Sequence, residues 1–189
     1  MKTAFIVFEG MTALDFVGFY DPVTRLATMK LVDDFQWRIC ALSPRVADDR
    51  GLRIEADSLA EPLDGYDLVF VPGGFGTRSL QHDRDFVAWL KTAGPAPLKV
   101  SVCTGALLLG AAGFLRGRRA TTHPNAYREL QAYCGEVVDE RIVDEGDVVT
   151  ARGVSSAIDL GLHVVERIAG ADARERIAAQ MDYPYRWRP

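Results

Sequence analysis

Cys103 is the residue whose surroundings call most directly for chemistry. It stands in Ser101-Val102-Cys103-Thr104-Gly105, after a short apolar run and just before a helical pattern. A side chain on such a strand–turn–helix bend is lifted to where a substrate can reach it, the placement of a nucleophile elbow with Cys in the role of Ser. Gly105 leaves the turn uncrowded. Unpaired N–H groups at a helix start favour an anion, so the sequence predicts a thiol whose pKa is lowered from its usual value of about 8.5. An inert buried thiol is the alternative reading. That alternative suits the other two cysteines better: Cys40 lies in the strand-like run 37–42, and Cys134 at a helix end before Gly135.

Two other loops carry candidate partners. Pro72-Gly73-Gly74-Phe75-Gly76 follows a second buried run. Its glycines let backbone N–H groups approach a ligand closely. Gly73 and Gly74, with the Thr104 amide, could form an oxyanion hole; a plain strand-ending turn competes with that reading. Asp15 closes the loop 9–15. By residue type it suits a helix N-cap. Beside the sulfur it would act as general acid or base, because a desolvated carboxyl holds its proton to higher pH. Glu9 is the competing carboxylate. His123, in Thr121-Thr122-His123-Pro124, could lie near the cysteine, although a loop histidine bonded to backbone is the simpler reading. His82 and His163 read as ordinary helix positions.

The elements that must position these residues follow from hydrophobic periodicity. Strands are expected at 3–8, 36–42, 67–71 and 99–102, and helices near 15–30, 83–92 and 104–112. The segment 44–63 is polar and broken, with a small β excursion. Further on, 119–122, 137–138, 141–143 and 148–150 read as short strands, and 125–133, 154–169 and 171–180 as helices. Strands alternating with helices predict a mainly parallel sheet covered on both faces. In such a sheet, sites form beyond the carboxyl ends of the strands, where all three loops fall.

The whole chain has 189 residues and a net charge of -4, which fits one domain over 1–189. No block of like charge points to nucleic acid or an anionic membrane as partner; Arg116, Arg118 and Arg119 read as a solvated loop. No run reaches the roughly 18 apolar residues of a spanning helix, and 3–8 is too short for a signal-peptide core. A cytoplasmic protein is expected. The spacing of the three cysteines matches neither a disulfide frame nor a zinc site.

Taken together, Val71-Pro72-Gly73-Gly74, Cys103-Thr104-Gly105-Ala106, Ala120-Thr121-Thr122-His123-Pro124 and Val149-Thr150-Ala151-Arg152-Gly153 resemble the DJ-1/PfpI superfamily. The resemblance covers nearly the whole chain. It implies a flavodoxin-like three-layer α/β/α sandwich and a homodimer. Glyoxalase- and deglycase-like members carry Glu in the first loop, and protease-like members carry His directly after the Cys. Here Leu14-Asp15 and Thr104 stand at those places. With the run 106–115 and Arg116-Gly117-Arg118-Arg119, they look like the isocyanide (isonitrile) hydratase branch.

That likeness raises Asp15 from cap to acid/base partner of Cys103. It implies conversion of a small-molecule isocyanide and water to an N-substituted formamide, with no metal or organic cofactor. His123 and Gly18 become candidates for supporting the pair. Gly18 lies in Phe16-Val17-Gly18-Phe19, where hydratases of this branch often have Thr before the glycine. Two alternatives stand beside this reading: a glyoxalase- or deglycase-like enzyme acting on reactive carbonyls, and a redox sensor or ligand-binding protein whose thiol oxidises. The superfamily fold also occurs fused to DNA-binding domains. No helix-turn-helix segment precedes Pro189, so a regulator is not expected.

Overall fold

The first apolar run forms β1 (Lys2–Ile6), in a computed structural model that describes residues 1–184. Residues 185–189, the tail of the expected 1–189 domain, lie outside the described residues. The chain continues through α1 (Ala13–Thr28), β2 (Gln36–Ala41), the hairpin β3 (Arg45–Ala47) and β4 (Arg53–Glu55), and the short β5 (Ser58–Leu59). Next come β6 (Leu68–Val71), the single turn α2 (Thr77–Leu80), α3 (Arg84–Lys91), β7 (Leu98–Val102) and α4 (Gly105–Ala111). The remainder holds β8 (Arg119–Ala120), α5 (Tyr127–Leu130), β9 (Glu136–Val137), β10 (Ile142–Asp144), β11 (Val148–Ala151) and α6 (Ser156–Gln180).

Seven strands form the central sheet in the order β5-β2-β1-β6-β7-β11-β10. Every pair is parallel except β10 with β11. The β1–α1–β2 crossover runs one way along the sheet and β6–α3–β7 runs the other. Right-handed crossovers of opposite direction put their helices on opposite faces, which gives the expected flavodoxin-like three-layer α/β/α sandwich. Strands covered on both sides read as continuous apolar runs, and every residue of β6 and β7 is buried. The chain turns one way from β1 and the other from β6, so the crevice lies beyond their carboxyl ends.

An aromatic wedge fixes α1 over that crevice. Phe19 stacks on Phe70 of β6, with centroids 3.9 Å apart, and both rings meet Phe5 of β1 edge-on. Asp15 lies one turn before Phe19, on the same face of α1. The opposing contact comes from α6: a Cβ at Gly18 would lie 2.8 Å from the Ala157 Cβ. Gly18 is thus a close helix–helix contact.

Several elements differ from the sequence reading. α1 starts at Ala13 with Thr12 in the cap position, so Asp15 stands inside the first turn and caps nothing. The excursion 44–63 supplies both a separate hairpin and the edge strand β5 of the main sheet. The expected helix 125–133 is a 3-10 turn at Pro124–Ala126 followed by the single turn α5. α6 breaks at Gly170, with φ 85°, between the two helices expected there. His82 lies in a turn between α2 and α3, while His163 lies in α6 with its Nε2 2.7 Å from Asp144 Oδ2. No helix among the described residues is long and apolar enough to cross a membrane.

Candidate active site

Cys103 has φ 54°, in the left-handed region. A residue with a Cβ pays on the order of 1–3 kcal/mol there and stays only where its neighbours over-determine the turn. They do so here. Cys103 N–H donates to the carbonyls of Ala151 at 3.0 Å and Arg152 at 2.8 Å. Its own carbonyl accepts from Thr122 Oγ1 at 2.7 Å. Thr122 belongs to the segment 120–124 quoted above, yet its hold on the elbow comes from tertiary packing that local pattern does not encode.

The turn brings the sulfur against Asp15, a fully buried carboxyl at 0% exposure; Cys103 itself is 6% exposed. Asp15 Oδ2 accepts from Gly73 N–H at 3.0 Å. Asp15 Oδ1 is buried with no nitrogen or oxygen partner, and the carboxyl lies within hydrogen-bonding reach of the Cys103 thiol. Burial pushes the Asp15 pKa up to about 7, opposed by the Cys103 and Gly73 contacts and reinforced by the nearby Asp49 charge.

The thiol shifts in the direction opposite to the sequence expectation. Burial, then the Asp15 carboxylate, pushes Cys103 up to about 12, and the Thr104 amide opposes this only in part. The start of α4, a helix of seven residues, does not outweigh a neighbouring negative charge in a dry pocket. The thiol and carboxyl therefore titrate as a pair that holds one proton from about pH 7 to about pH 12.

The glycine loop serves this pair differently from the expected oxyanion hole. Gly73 N–H is taken by Asp15, and Gly74 N–H donates to Thr104 Oγ1 at 3.0 Å, which in turn donates to the Gly74 carbonyl at 3.1 Å. Of the three amides, that of Thr104 faces the sulfur. Gly73 is required by close approach. A Cβ there would lie 2.6 Å from Thr104 N, 2.7 Å from Cys103 Cβ and 2.8 Å from Asp15 Oδ2.

Above the pair opens a cleft of about 370 Å³ that includes Cys103, Thr104 and Gly74. Leu14, Phe75 and Val154 form apolar walls, and Arg50, Arg78 and Asp49 are among its polar ones. His123 borders the cleft, but its Nδ1 accepts from Asn125 N–H at 3.2 Å and its ring packs over Gly153. It is the backbone-bonded loop histidine of the simpler reading. Glu9 points elsewhere and accepts from Ala47 N–H at 2.9 Å. Cys40 is buried in β2 and Cys134 is half-buried.

Asp49 and Arg50 carried no signal in the sequence. The β3–β4 connection delivers them by pairing Asp48 with Met11 and donating Asp49 N–H to the Met11 carbonyl at 2.9 Å. Arg50 Nη1 then pairs with Asp49 Oδ1 at 2.7 Å, and Thr12 Oγ1 donates to Asp49 Oδ2 at 3.3 Å.

The DJ-1/PfpI family model matches residues 1–167. The chain belongs to the DJ-1/PfpI family. It is 32% identical over 185 residues to the isonitrile hydratase of Pseudomonas putida, covering 97% of this chain and 78% of that protein. It is 28% identical over 134 residues to Protein DJ-1 homolog A of Arabidopsis thaliana, covering 68% of this chain and 34% of that longer protein. Among solved structures, a ThiJ/PfpI family protein from Pseudomonas syringae superposes with a TM-score of 0.85 at 28% identity, over 98% of this chain and 76% of that one.

Proposed function

We propose that this DJ-1/PfpI protein hydrates isocyanides to N-substituted formamides, with Cys103 as nucleophile and Asp15 as proton carrier. The observation that carries the reading is the buried Asp15 carboxyl beside the elbow thiol, at the base of an apolar-walled cleft. Similarity to an isonitrile hydratase supports the substrate class.

The pair starts with one proton. Sulfur bonds to the isocyanide carbon, and the shared proton bonds to the same carbon, giving the thioimidate R–N=CH–S–Cys103 and an ionised Asp15. Asp15 then takes a proton from water as the water oxygen bonds to that carbon, and passes the proton to nitrogen. The tetrahedral adduct R–NH–CH(OH)–S–Cys103 loses its hydroxyl proton through Asp15 to the departing sulfur. N-substituted formamide leaves, and the pair again holds one proton. The Thr104 N–H steadies negative charge on sulfur at the first and last steps, while Gly73 and Gly74 hold Asp15 and Thr104 in place.

The same reading makes the working protein a cytoplasmic homodimer acting on a small molecule. Three free thiols suit a reducing compartment, and the half-exposed Val17 on α1 offers apolar surface for a second copy to cover.

Cys103→Ala should reduce formamide release from p-nitrophenyl isocyanide by at least roughly a thousandfold. Retained turnover in that variant refutes nucleophilic catalysis. Consumption of methylglyoxal without formamide production would select the reactive-carbonyl reading instead.

A further inference from the structure

Phe75 is 78% exposed, the most exposed large apolar side chain among the described residues. Its backbone is clamped on both sides. Gly74 has φ 133°, and a Cβ on it would strike Gly10 and Met11; a Cβ on Gly76 would strike the Glu9 carbonyl. Gly74 N–H is held by Thr104, and Gly76 N–H donates to the Gly10 carbonyl at 3.0 Å. Thr77 Oγ1 closes the turn on the Gly74 carbonyl at 2.8 Å. Between Pro72 and Thr77 the ring of Phe75 is the one side chain larger than hydrogen. The clamp therefore presents a single phenyl group to the cleft from a fixed backbone.

An isocyanide is linear at nitrogen and carbon. With its carbon on the sulfur, its N-substituent must point away from Cys103, out along the cleft. Phe75, Leu14 and Val154 meet it there. Of the two cationic walls, Arg50 is paired with Asp49, and Arg78 lies 3.6 Å from Glu129. The cleft, at about 370 Å³, is in the range of small-molecule sites and far larger than an isocyano group. We propose that Phe75 is the specificity-determining wall of this cleft, favouring substrates with a flat or bulky apolar N-substituent over small ones. The substrate class rests on the hydration reading; the apolar selection rests on the clamp and the cleft alone.

The test compares wild type with Phe75→Ala and Phe75→Leu in two assays. The first is the ratio of kcat/KM for phenyl isocyanide to that for methyl isocyanide. The second is the ratio of Cys103 alkylation rates by N-phenyliodoacetamide and iodoacetamide, which requires no turnover. Phe75→Ala should lower both ratios about tenfold, and Phe75→Leu should restore part of the loss. Unchanged ratios overturn the proposal. If wild type hydrates no isocyanide, the hydration reading fails and the alkylation ratio still decides the role of Phe75. If Phe75→Ala converts a dimer to a monomer in sedimentation with the alkylation ratio unchanged, the ring is a subunit contact and the proposal falls.

Discussion

At the scale of residues, the proposed chemistry depends on a like-charge pair. Burial raises the pKa of both groups, and the Asp15 charge raises the thiol further. Asp15→Asn removes the charge and keeps the volume. The midpoint of Cys103 alkylation by iodoacetamide should then fall below that of the wild type, because a neutral amide no longer opposes the thiolate. Hydration should fall by at least about a hundredfold, because the amide carries no transferable proton. A midpoint that stays in place would mean the two groups are uncoupled. Cys103 was legible in the sequence because strand, turn and helix meet at one residue. The direction of its pKa was not legible, because it is set first by burial of the thiol and then by the Asp15 charge, which comes from α1, distant in sequence. Asp15 was readable as a candidate only beside its competing role as a cap, which the helix start at Ala13 removes.

At the scale of elements, the site depends on how α1 is seated. The stack of Phe19 on Phe70 locks α1 over β6 and so sets the height of Asp15 above the glycine loop. Phe19→Ala should destabilise the protein by about 3–5 kcal/mol, measured by denaturant unfolding. It should also lower hydration in the fraction that stays folded, as Asp15 loses its fixed approach to the sulfur. Full activity in a folded Phe19→Ala protein would show that the wedge does not position the carboxyl. The inner strands β1 and β6 were readable because they are short apolar runs of the length a covered strand needs. The β3–β4 hairpin was less so. Its placement rests on the Asp48–Met11 bridge, a contact between distant segments, and with it Asp49 and Arg50 escaped notice.

At the scale of the whole molecule, the buried carboxyl leaves its mark on stability. Folded Asp15 keeps its proton to about pH 7, against an ordinary value of 3.8. The folded protein therefore binds more protons than the unfolded chain between those values. Stability should fall as pH rises through that window, by up to about 1.4 kcal/mol per pH unit. Asp15→Asn should flatten that slope in urea unfolding measured from about pH 4 to about pH 8; an identical slope in wild type and variant would contradict the raised pKa. Asp147 acts in the opposite sense. Its bonds to Arg118 hold its pKa below the usual range, so its contribution is present above that range and lost as the pH falls through it. The mainly parallel sheet and its two covered faces were foreseeable from the alternation of strands and helices, whereas the strand order came only with the structure. The arrangement of the cleft was not foreseeable, since six separate segments of the chain build it.

The most direct test of the account is to quench the protein during turnover of p-nitrophenyl isocyanide and examine Cys103 by peptide mass spectrometry. The account predicts an adduct on that sulfur with the mass of the whole isocyanide, appearing before formamide is released and persisting longer in Asp15→Asn. Formamide released at the wild-type rate by Cys103→Ala, with no adduct on Cys103 in the parent protein, would contradict it.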